Sequence, residues 1–437
     1  MKPVGVLQVG KDAKAETPGN YLFSRAKRMS AVSLEHAETP SKTRSVGVRD
    51  TRFQGSGFSF REHGNCRASA TPRLSRYTGR RMTTTEPTKP KPRRRWLQYS
   101  LRTFFVLLTV ACVGLAWVGR QAFRAWEQRK AVEWVQEIGG TVSYDYQLDE
   151  DGIEIADAEP HGSEWLVELL GVDYFQEVSA VDLYDTQVSD LNALARLTSL
   201  KQLSLIDTHI DVSDLTPLAG LNNLKSLELS GTQVNDLTPL AGWNNLEGLS
   251  LDYTQVSDVT SLAGLKNLKW LSLRNTQVSD VTPLAGLKNL EWLLLDSTQV
   301  SDVTPLRGMK NLKALKLADT QVSDLTPLAK LTSLEWLFLD STPVTDLTPL
   351  AKLTSLDFLS LVDTPVSDVT PLAELTSLKT LWLYNNTQFN NLTPLAKLTS
   401  LERLILDGTI LSEEQVAKLR KALPNCTITC LPSDPPP

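Results

Sequence analysis

The sequence has few of the residues from which catalytic and metal centres are built. It contains four histidines and four cysteines in 437 residues, and the histidines are far apart in the chain (His36, His63, His161 and His209). It also lacks a phosphate-binding loop, a nucleophile elbow and a dinucleotide-binding fingerprint. We therefore expect no enzymatic activity, no cofactor and no metal ion.

The four cysteines, Cys66, Cys112, Cys426 and Cys430, lie in three different segments, which argues against a disulfide framework. If 426–430 is a strand, Cys426 and Cys430 point the same way about 13 Å apart, too far for a disulfide bond. We interpret both as small apolar residues against a core, with a zinc site as the weaker alternative.

Acidic residues are scarce near the N-terminus. Residues 1–81 hold 16 Lys and Arg against 6 Asp and Glu, whereas residues 103–437 carry a net charge of −20. Residues 1–81 also lack apolar periodicity and are rich in Ser, Thr, Gly, Arg and Lys, which indicates a disordered basic head. Its charges are scattered without an aromatic platform, so we expect no nucleic-acid partner. An alternative is that translation starts at Met82 and the head is not made.

Long hydrophobic runs are absent except for one. Residues 103–119 form a run of 17 uncharged residues, enough for a helix of about 25 Å, with Trp96, Tyr99 and Trp117 near its ends. We predict an uncleaved transmembrane helix, because no small-x-small cleavage site follows the run. Residues 82–102 then form a basic juxtamembrane segment.

The flanking cations predict the orientation of this helix. Six precede the run and four follow it, and the cytoplasmic flank of a membrane helix carries the excess of Lys and Arg. We therefore expect a single-pass protein with a cytoplasmic N-terminus and an extracytoplasmic body. The cations are Lys89, Lys91, Arg93, Arg94, Arg95 and Arg102 before the run, and Arg120, Arg124, Arg129 and Lys130 after it.

The next segment predicts a linker helix and a small cap. Residues 120–137 have the pattern of a charged amphipathic helix. Residues 138–177 then form an N-terminal cap, with a short hairpin over 141–156 and a helix that begins after Ser163 and ends at Gly171. A solenoid needs such a unit to shield its first core layer from water.

The body is repetitive. Versions of L-x-x-L-x-L-x-x-T-x-V-x-D-L-T-P-L-A-x-L recur over residues 178–411, with a usual period of 22 residues. Eleven units of this pattern predict leucine-rich repeats. One threonine marks each unit: Thr186, Thr208, Thr232, Thr254, Thr276, Thr298, Thr320, Thr342, Thr364, Thr387 and Thr409.

The unit around Thr276 illustrates the predicted coil. Leu271 and Leu273 alternate on a short strand and point inward, while Thr276 turns inward after the strand and bonds loop backbone groups. Thr282-Pro283 starts a short helical turn with Thr as its cap, and Asp280 helps to tie that turn. The same layer is filled from the other side by Leu268, Val278, Val281, Leu284 and Leu287.

The Asp that recurs at the Asp280 position in nine units has calcium binding as an alternative interpretation. One Asp per coil without a glycine-rich ligand loop favours the structural role.

Beyond the repeats, residues 412–431 predict a C-terminal cap and residues 432–437 a tail. Ser412 and Gln415 have capping-box spacing before a helix that runs to about Leu423, where Pro424 stops it. A last strand over 426–430 closes the core.

These repeats resemble the internalin-type leucine-rich repeats of bacterial surface proteins, over about residues 178–410. The run WLQYSLRTFFVLLTVACVGLAW with the later IGGTVSYDYQ is similar to bacterial proteins that combine a membrane anchor with such repeats. The resemblance implies an α/β solenoid, a horseshoe of about eleven repeats with a parallel β-sheet on its concave face, preceded by one transmembrane helix. It also implies binding through that face. No cell-wall sorting signal follows the repeats, so an invasion role is not implied.

The concave face is the predicted binding site, because strand residues that flank the inward leucines point to it. In the middle and later units these positions are rich in aromatic and charged residues, whereas the earlier units have small or polar ones. We expect a protein ligand, with a glycan as the alternative, and a monomeric repeat domain; a spacer without a specific ligand is the competing hypothesis. The predicted site residues are Trp270, Trp292, Trp336, Phe338, Phe358, Trp382, Tyr384, Asp252, Arg274, Asp296 and Asp340.

Overall fold

The computed structural model describes residues 101–149, 152–155, 158–188, 190–208, 214–386, 389, 391–409 and 411–430. The basic head, the alternative start at Met82, residues 82–100 and the tail lie outside the described residues. The described chain divides into two units, one holding residues 101–115 and the other the residues from 116 onward.

The predicted transmembrane and linker helices form one continuous helix, α1, which spans Leu101–Glu137. The part of α1 from Thr103 onward is long and apolar enough to cross a membrane by length and composition. Gly139 follows the helix with φ +87°, a left-handed conformation that favours glycine and ends the helix. No Pro or Gly pair interrupts the sequence at residue 119, so nothing separates the two predicted helices.

The second unit is built on one sheet of thirteen strands that follow one another in chain order. β1 is antiparallel to β2, and every later strand pairs in parallel with the one before it. Because each coil contributes one three- to five-residue strand, the parallel sheet grows by one strand per repeat, and the predicted leucine-rich-repeat solenoid is confirmed.

The described residues include two further α-helices, one between β1 and β2 and one between β12 and β13. They are α2 (Glu164–Leu170) and α3 (Glu413–Ala422). The strands are β1 (Thr141–Tyr144), β2 (Val178–Asp182), β3 (Gln202–Ser204), β4 (Ser226–Glu228), β5 (Gly248–Ser250), β6 (Trp270–Ser272), β7 (Trp292–Leu294), β8 (Ala314–Lys316), β9 (Trp336–Phe338), β10 (Phe358–Ser360), β11 (Thr380–Trp382), β12 (Arg403–Ile405) and β13 (Thr427–Thr429).

The framework residues of each coil pack as the pattern predicts. In the coil of β6, Leu271 and Leu273 have no exposed surface, and the Thr276 hydroxyl donates to the Leu273 carbonyl at 2.7 Å. The same bond recurs at the equivalent buried threonines, so a polar group inside every coil is satisfied. The other predicted members of this layer, Leu268, Val278, Val281, Leu284 and Leu287, are also buried.

The turn on the far side of each coil differs in one detail from the prediction. A short 3-10 helix begins at Thr282 itself, so Thr282 is not the cap. The carboxylate of Asp280 caps the turn instead, because its Oδ1 accepts from the Thr282 backbone N–H at 2.8 Å. Aspartate performs better here than threonine since a charged acceptor makes a stronger hydrogen bond.

The tenth repeat shows that Thr387 was assigned wrongly to the framework position. Asn386 occupies it: this residue is buried, its Nδ2 donates to the Leu361 carbonyl at 2.7 Å, and its Oδ1 accepts from the Thr364 backbone N–H at 2.8 Å. Thr387 itself lies outside the described residues. Asn386 follows Thr364 by 22 residues and precedes Thr409 by 23, so one residue is added after the framework position.

The N-terminal cap differs more. The predicted hairpin over 141–156 is found only in its second half. β1 pairs with β2 and closes the sheet. Farther along, Leu148 forms an antiparallel bridge with Glu154, and the backbone N–H groups of Asp149 and Ile155 donate to the Ile153 and Gln147 carbonyls at 2.9 and 2.8 Å. The helix after Ser163 and its end at Gly171 are confirmed. The predicted linker part of α1 is itself a cover for the first coil, since its residues Ala131, Val132 and Val135 are buried in the solenoid core.

The C-terminal cap forms as the sequence predicts. Ser412 and Gln415 make a capping box at the start of α3, and β13 adds the last strand beside β12. Cys426 and Cys430 flank β13 and are partly buried against the core, and burial raises the pKa of the Cys426 thiol to about 11. A thiol held protonated in this way is a packing residue at neutral pH.

Candidate binding surface

Outward-pointing strand residues form three rows on what we call the sheet face. The first row contains the residue before the first inward leucine of each strand, the second row the residue between the two leucines, and the third row the residue after the second leucine. The parallel register places equivalent residues side by side, so Trp270, Trp292, Ala314, Trp336 and Phe358 are neighbours in the first row.

The tryptophans of the first row stack across a small residue. The rings of Trp292 and Trp336 are 5.2 Å apart at an interplanar angle of 21°, although β8 lies between their strands. Ala314 on β8 has no ring of its own and leaves the space between them. Trp270, Trp292 and Trp336 are each half-buried, so every ring keeps solvent-accessible surface.

A second aromatic group runs diagonally from the second row to the first and back. Phe338 and Phe358 have ring centroids 4.6 Å apart, and Phe358 meets Trp382 edge-on at 5.0 Å. The ammonium of Lys316 lies 4.2 Å from the Phe338 ring centroid, a cation–π contact. Phe338 and Phe358 are only 8% and 7% exposed, whereas Trp382 is half-buried and Tyr384 is exposed.

Asp252 begins a row of acids at the carboxyl ends of the strands. Its carboxylate accepts two hydrogen bonds from the Arg274 guanidinium at 3.0 and 2.7 Å and one from the Arg274 backbone N–H at 2.9 Å. Ser272 donates to the same carboxylate. The buried Asp252 carboxylate therefore has hydrogen-bond donors at both oxygens, which is the condition under which burial of a charge is tolerated.

Asp296 and Asp340 repeat the arrangement in alternate coils. Each carboxylate accepts from a backbone N–H of the next coil: that of Ala318 at 3.1 Å and that of Val362 at 2.9 Å. Burial raises the pKa of Asp296 to about 6 and also raises the pKa of Asp340, while burial lowers the pKa of Lys316 between them. The sheet face therefore has a core of poorly hydrated charges beside its aromatic rings.

The structure brings the predicted aromatic residues from Trp292 to Trp382 together and joins Asp252 to Arg274 directly. Lys316 is the contributor that the sequence analysis missed, together with Ser272 and Ser360, whose hydroxyls donate to the Asp252 and Asp340 carboxylates. Lys316 lies between the two inward leucines of its strand. The flanking units have the apolar residues Leu294 and Phe338 at this position, so a single cation in an apolar row is the sequence feature that could have identified Lys316.

A charged row borders the sheet face where each strand begins. The Glu247 carboxylate forms ion pairs with the ammonium groups of Lys269 at 2.7 Å and Lys225 at 3.6 Å. Glu291 and Lys313 form an ion pair at 2.7 Å. A groove of about 600 Å³ runs beside this row. It is lined by Glu177, Ser199, Lys201, Asn223, Lys225, Asn245, Glu247, Asn267, Lys269 and Asn289.

The lining asparagines have a structural use. The Asn267 side-chain amide donates to the Asn244 carbonyl of the previous coil at 2.6 Å, and Asn223, Asn245 and Asn289 make equivalent bonds. Their amides are thus occupied by neighbouring coils. Within the described residues, no group of three or more His, Cys, Asp or Glu lies close enough to hold a metal ion.

Comparison with known proteins agrees with this architecture. The family model for leucine-rich repeats (two copies) matches residues 354–397. An internalin, InlF, from Listeria monocytogenes is 27% identical with a TM-score of 0.53, over 59% of this chain and 82% of that one. A leucine-rich-repeat protein from Leptospira interrogans is 27% identical with a TM-score of 0.51, over 55% of this chain and 62% of that one. No curated protein matches the sequence.

One strand per coil, a buried leucine framework and a continuous parallel sheet define the class as a leucine-rich-repeat solenoid. Within that class, the repeats are similar to those of the Listeria internalin and of the Leptospira protein, and a bacterial leucine-rich-repeat protein fits both likenesses. Folds of this class are commonly protein-interaction modules.

Proposed function

We propose that the protein is a membrane-anchored binding module that recognises a protein ligand through the sheet face. The observation that carries the proposal is the aromatic cluster of Trp292, Trp336, Phe338, Phe358 and Trp382, which lies beside buried charges on an open sheet. Half-buried tryptophans next to desolvated charges are typical of interface hot spots. We assign the protein no catalytic role.

The sheet face suggests a chemical character for the ligand. Asp252, Asp296 and Asp340 leave an acidic row along one side of the aromatic cluster, and their positive neighbours are Arg274 and Lys316. A segment with apolar side chains beside basic ones complements this surface. A glycan stacked on the tryptophans is the alternative ligand.

A spacer role is favoured by one specific observation. Phe338 and Phe358 bury each other almost completely, as expected if stacked rings serve mainly to stabilise neighbouring strands. The half-buried Trp270, Trp292, Trp336 and Trp382 distinguish the two functions, because a ring that only stabilises the sheet gains nothing from the surface it leaves in water.

Capture of ligand by defined variants tests the binding function. Residues 120–437 are used as bait in an envelope extract, and captured proteins are identified by mass spectrometry. We expect Trp292→Ala combined with Trp336→Ala to lose the principal captured protein, because both stacked rings are removed. Tyr184→Ala is the matched control: Tyr184 is an exposed aromatic residue in the third row of the first coil, far from the cluster. If a folded double variant captures the same protein as the wild type, the cluster is structural.

We further propose that α1 anchors the protein with the repeats outside the cytoplasm. The support is the length and apolar composition of α1 and the excess of cations before residue 103. Protease added to intact spheroplasts should digest the repeats and spare cytoplasmic marker proteins. Digestion that occurs only after lysis would reverse the orientation.

A further inference from the structure

The short helix α2 has an apolar surface that is exposed among the residues that the structure describes. Five of its seven residues, EWLVELL, are apolar, and none of the seven is buried. Trp165, Leu169 and Leu170 are 63%, 70% and 44% exposed. Trp165 and Leu169 are four residues apart and share one side of the helix. A helix of this length is marginal in water on its own, so its apolar side needs a cover.

The turn that follows α2 packs against α1 close to the end of the apolar run. The Gln121 side-chain amide is 3.5 Å from the Tyr174 carbonyl, and the Gln128 amide donates to Asp173 at 3.1 Å. Gln121 is two residues beyond Gly119, the last residue of the run, which is about 3 Å along the helix axis. The loop after α2 therefore reaches the level at which α1 becomes polar.

The next turns of α1, over about 6 to 16 Å beyond Gly119, have side chains that favour a bilayer surface. Phe123 and Trp126 are 56% and 49% exposed, and the Lys130 ammonium lies 3.8 Å from the Trp126 ring. The Arg129 guanidinium lies beside Gly171, the residue that ends α2. Aromatic rings with Arg and Lys next to an apolar segment are typical of the interfacial region and of contact with anionic headgroups. Acidic residues, Glu164 and Glu168, occupy a neighbouring side of α2.

We propose that α2 lies in the interfacial region of the membrane, with Trp165, Leu169 and Leu170 at the boundary between headgroups and acyl chains of an anionic bilayer. This inference rests on the proposed membrane anchor. The lipid surface covers the apolar side of α2, and the hydrogen bonds of Gln121 and Gln128 connect the turn after α2 to α1. The N-terminal cap is thereby held at the membrane by two separate contacts, and the first coil of the solenoid is held with it.

Site-specific photo-crosslinking in the full chain tests the proposal. The protein is placed in nanodiscs of phosphatidylcholine and phosphatidylglycerol, with benzoylphenylalanine replacing Trp165, Val110 or Tyr184 in three separate samples. Adducts are identified by mass spectrometry. Val110 is a 65% exposed position in the apolar run, and Tyr184 is a 60% exposed position on the sheet face. We expect lipid adducts at 165 and 110, at yields at least about tenfold above those at 184.

Each other result has a definite meaning. Lipid adducts at 110 with none at 165 overturn the inference and leave the anchor intact. Protein adducts at 165, to a second copy or to another chain, overturn it in favour of a protein cover for α2. Absence of lipid adducts at both 110 and 165 overturns the proposed anchor and this inference together.

Discussion

The residues of each coil have sharply different tolerances to substitution because the solenoid has no spare volume. Leu293 illustrates the apolar positions: it has no exposed surface and lies between the equivalent leucines Leu271 and Leu315 of the adjacent strands. A smaller side chain leaves a cavity, because the neighbouring coils are fixed by their own hydrogen bonds and cannot collapse into it.

Leu293→Ala should therefore lower the free energy of unfolding by about 2–5 kcal/mol, the usual cost of a buried leucine and its cavity. Urea unfolding of residues 120–437 measures it. Gln299→Ala, an exposed change in the same coil, is the control and should stay within about 0.5 kcal/mol of the wild type. Equal losses for the two variants would contradict the packing of this layer.

Asp296 gives a prediction with pH as the variable. Its pKa is about 6 in the folded protein because of burial, whereas an unfolded Asp titrates near about 3.9. Between these values the folded state holds a proton that the unfolded state releases, so the free energy of unfolding falls as pH rises from about 4 to about 6. Lys316, the neighbouring cation, offsets part of the burial cost.

Asp296→Asn removes the charge and keeps an acceptor for the Ala318 N–H. We expect this variant to be more stable than the wild type by about 2 kcal/mol at pH 8 and equal to it at pH 4. Unfolding in urea at both pH values measures the difference. Asp280→Asn is the control: the Thr282 hydrogen bonds lower the Asp280 pKa, so its charge stabilises the fold above that pKa and this variant gains nothing at pH 8. Parallel pH profiles for Asp296→Asn and the wild type would contradict the burial effect.

At the scale of elements, the 22-residue pattern determines most of what the structure shows. The inward leucines, the threonine hydroxyl bond and the capping box at Ser412 follow from local chemistry, so each could be predicted from the residues alone. The pairing of β1 with β2 could not be, because it joins segments about forty residues apart and alternating residues specify a strand without its partner.

On the sheet face, too, the direction of each side chain could be predicted from the sequence, whereas the contacts between side chains could not. Alternation along each strand placed Trp270, Trp292 and Trp336 outward. The ring contact between Trp292 and Trp336 depends on the volume of Ala314 in the intervening strand, and the covering of Phe338 depends on Lys316. Such contacts arise from three coils at once, whereas the sequence pattern describes one coil at a time.

The asparagine bonds between coils allow a test at this scale. The amide of Asn267 donates to the Asn244 carbonyl of the previous coil. Other repeats have serine at the same position, such as Ser199, Ser333 and Ser355. Asn267→Ser should cost about 1 kcal/mol, the net value of one hydrogen bond. Asn244→Ser is the control, because its exposed side chain is dispensable while its carbonyl remains. Both variants are compared by urea unfolding, and an equal effect would mean that the bond contributes nothing.

At the scale of the whole molecule, stability accumulates from neighbour to neighbour, so the ends decide whether the array stays closed. At the C-terminus, α3 and β13 cover the last coil through Leu419, Leu423 and Ile428. At the N-terminus, the cover is made by β1 and by the second half of α1. The protein therefore uses one helix both to enter the membrane, as we propose, and to close its core.

This double use predicts where the chain can be shortened. Residues 138–437 contain the whole predicted N-terminal cap but lose Ala131, Val132 and Val135, whereas residues 120–437 retain them. The shorter fragment should expose the apolar surface of β1 and β2 to water, at a cost of about 1.5–3 kcal/mol for each large side chain lost. Because contacts are local, the loss should be confined to the first coils.

Hydrogen exchange followed by mass spectrometry distinguishes the two fragments. We expect β2 and β3 to exchange at least about tenfold faster in 138–437 than in 120–437, while β7 to β10 exchange equally in both. Val135→Asp in the longer fragment should reproduce the effect, because it places an unpaired charge in the same layer, and Glu133→Gln, at an exposed position of α1, should not. Equal protection of β2 in all four proteins would show that β1 alone closes the solenoid, and that the second half of α1 has no part in the fold.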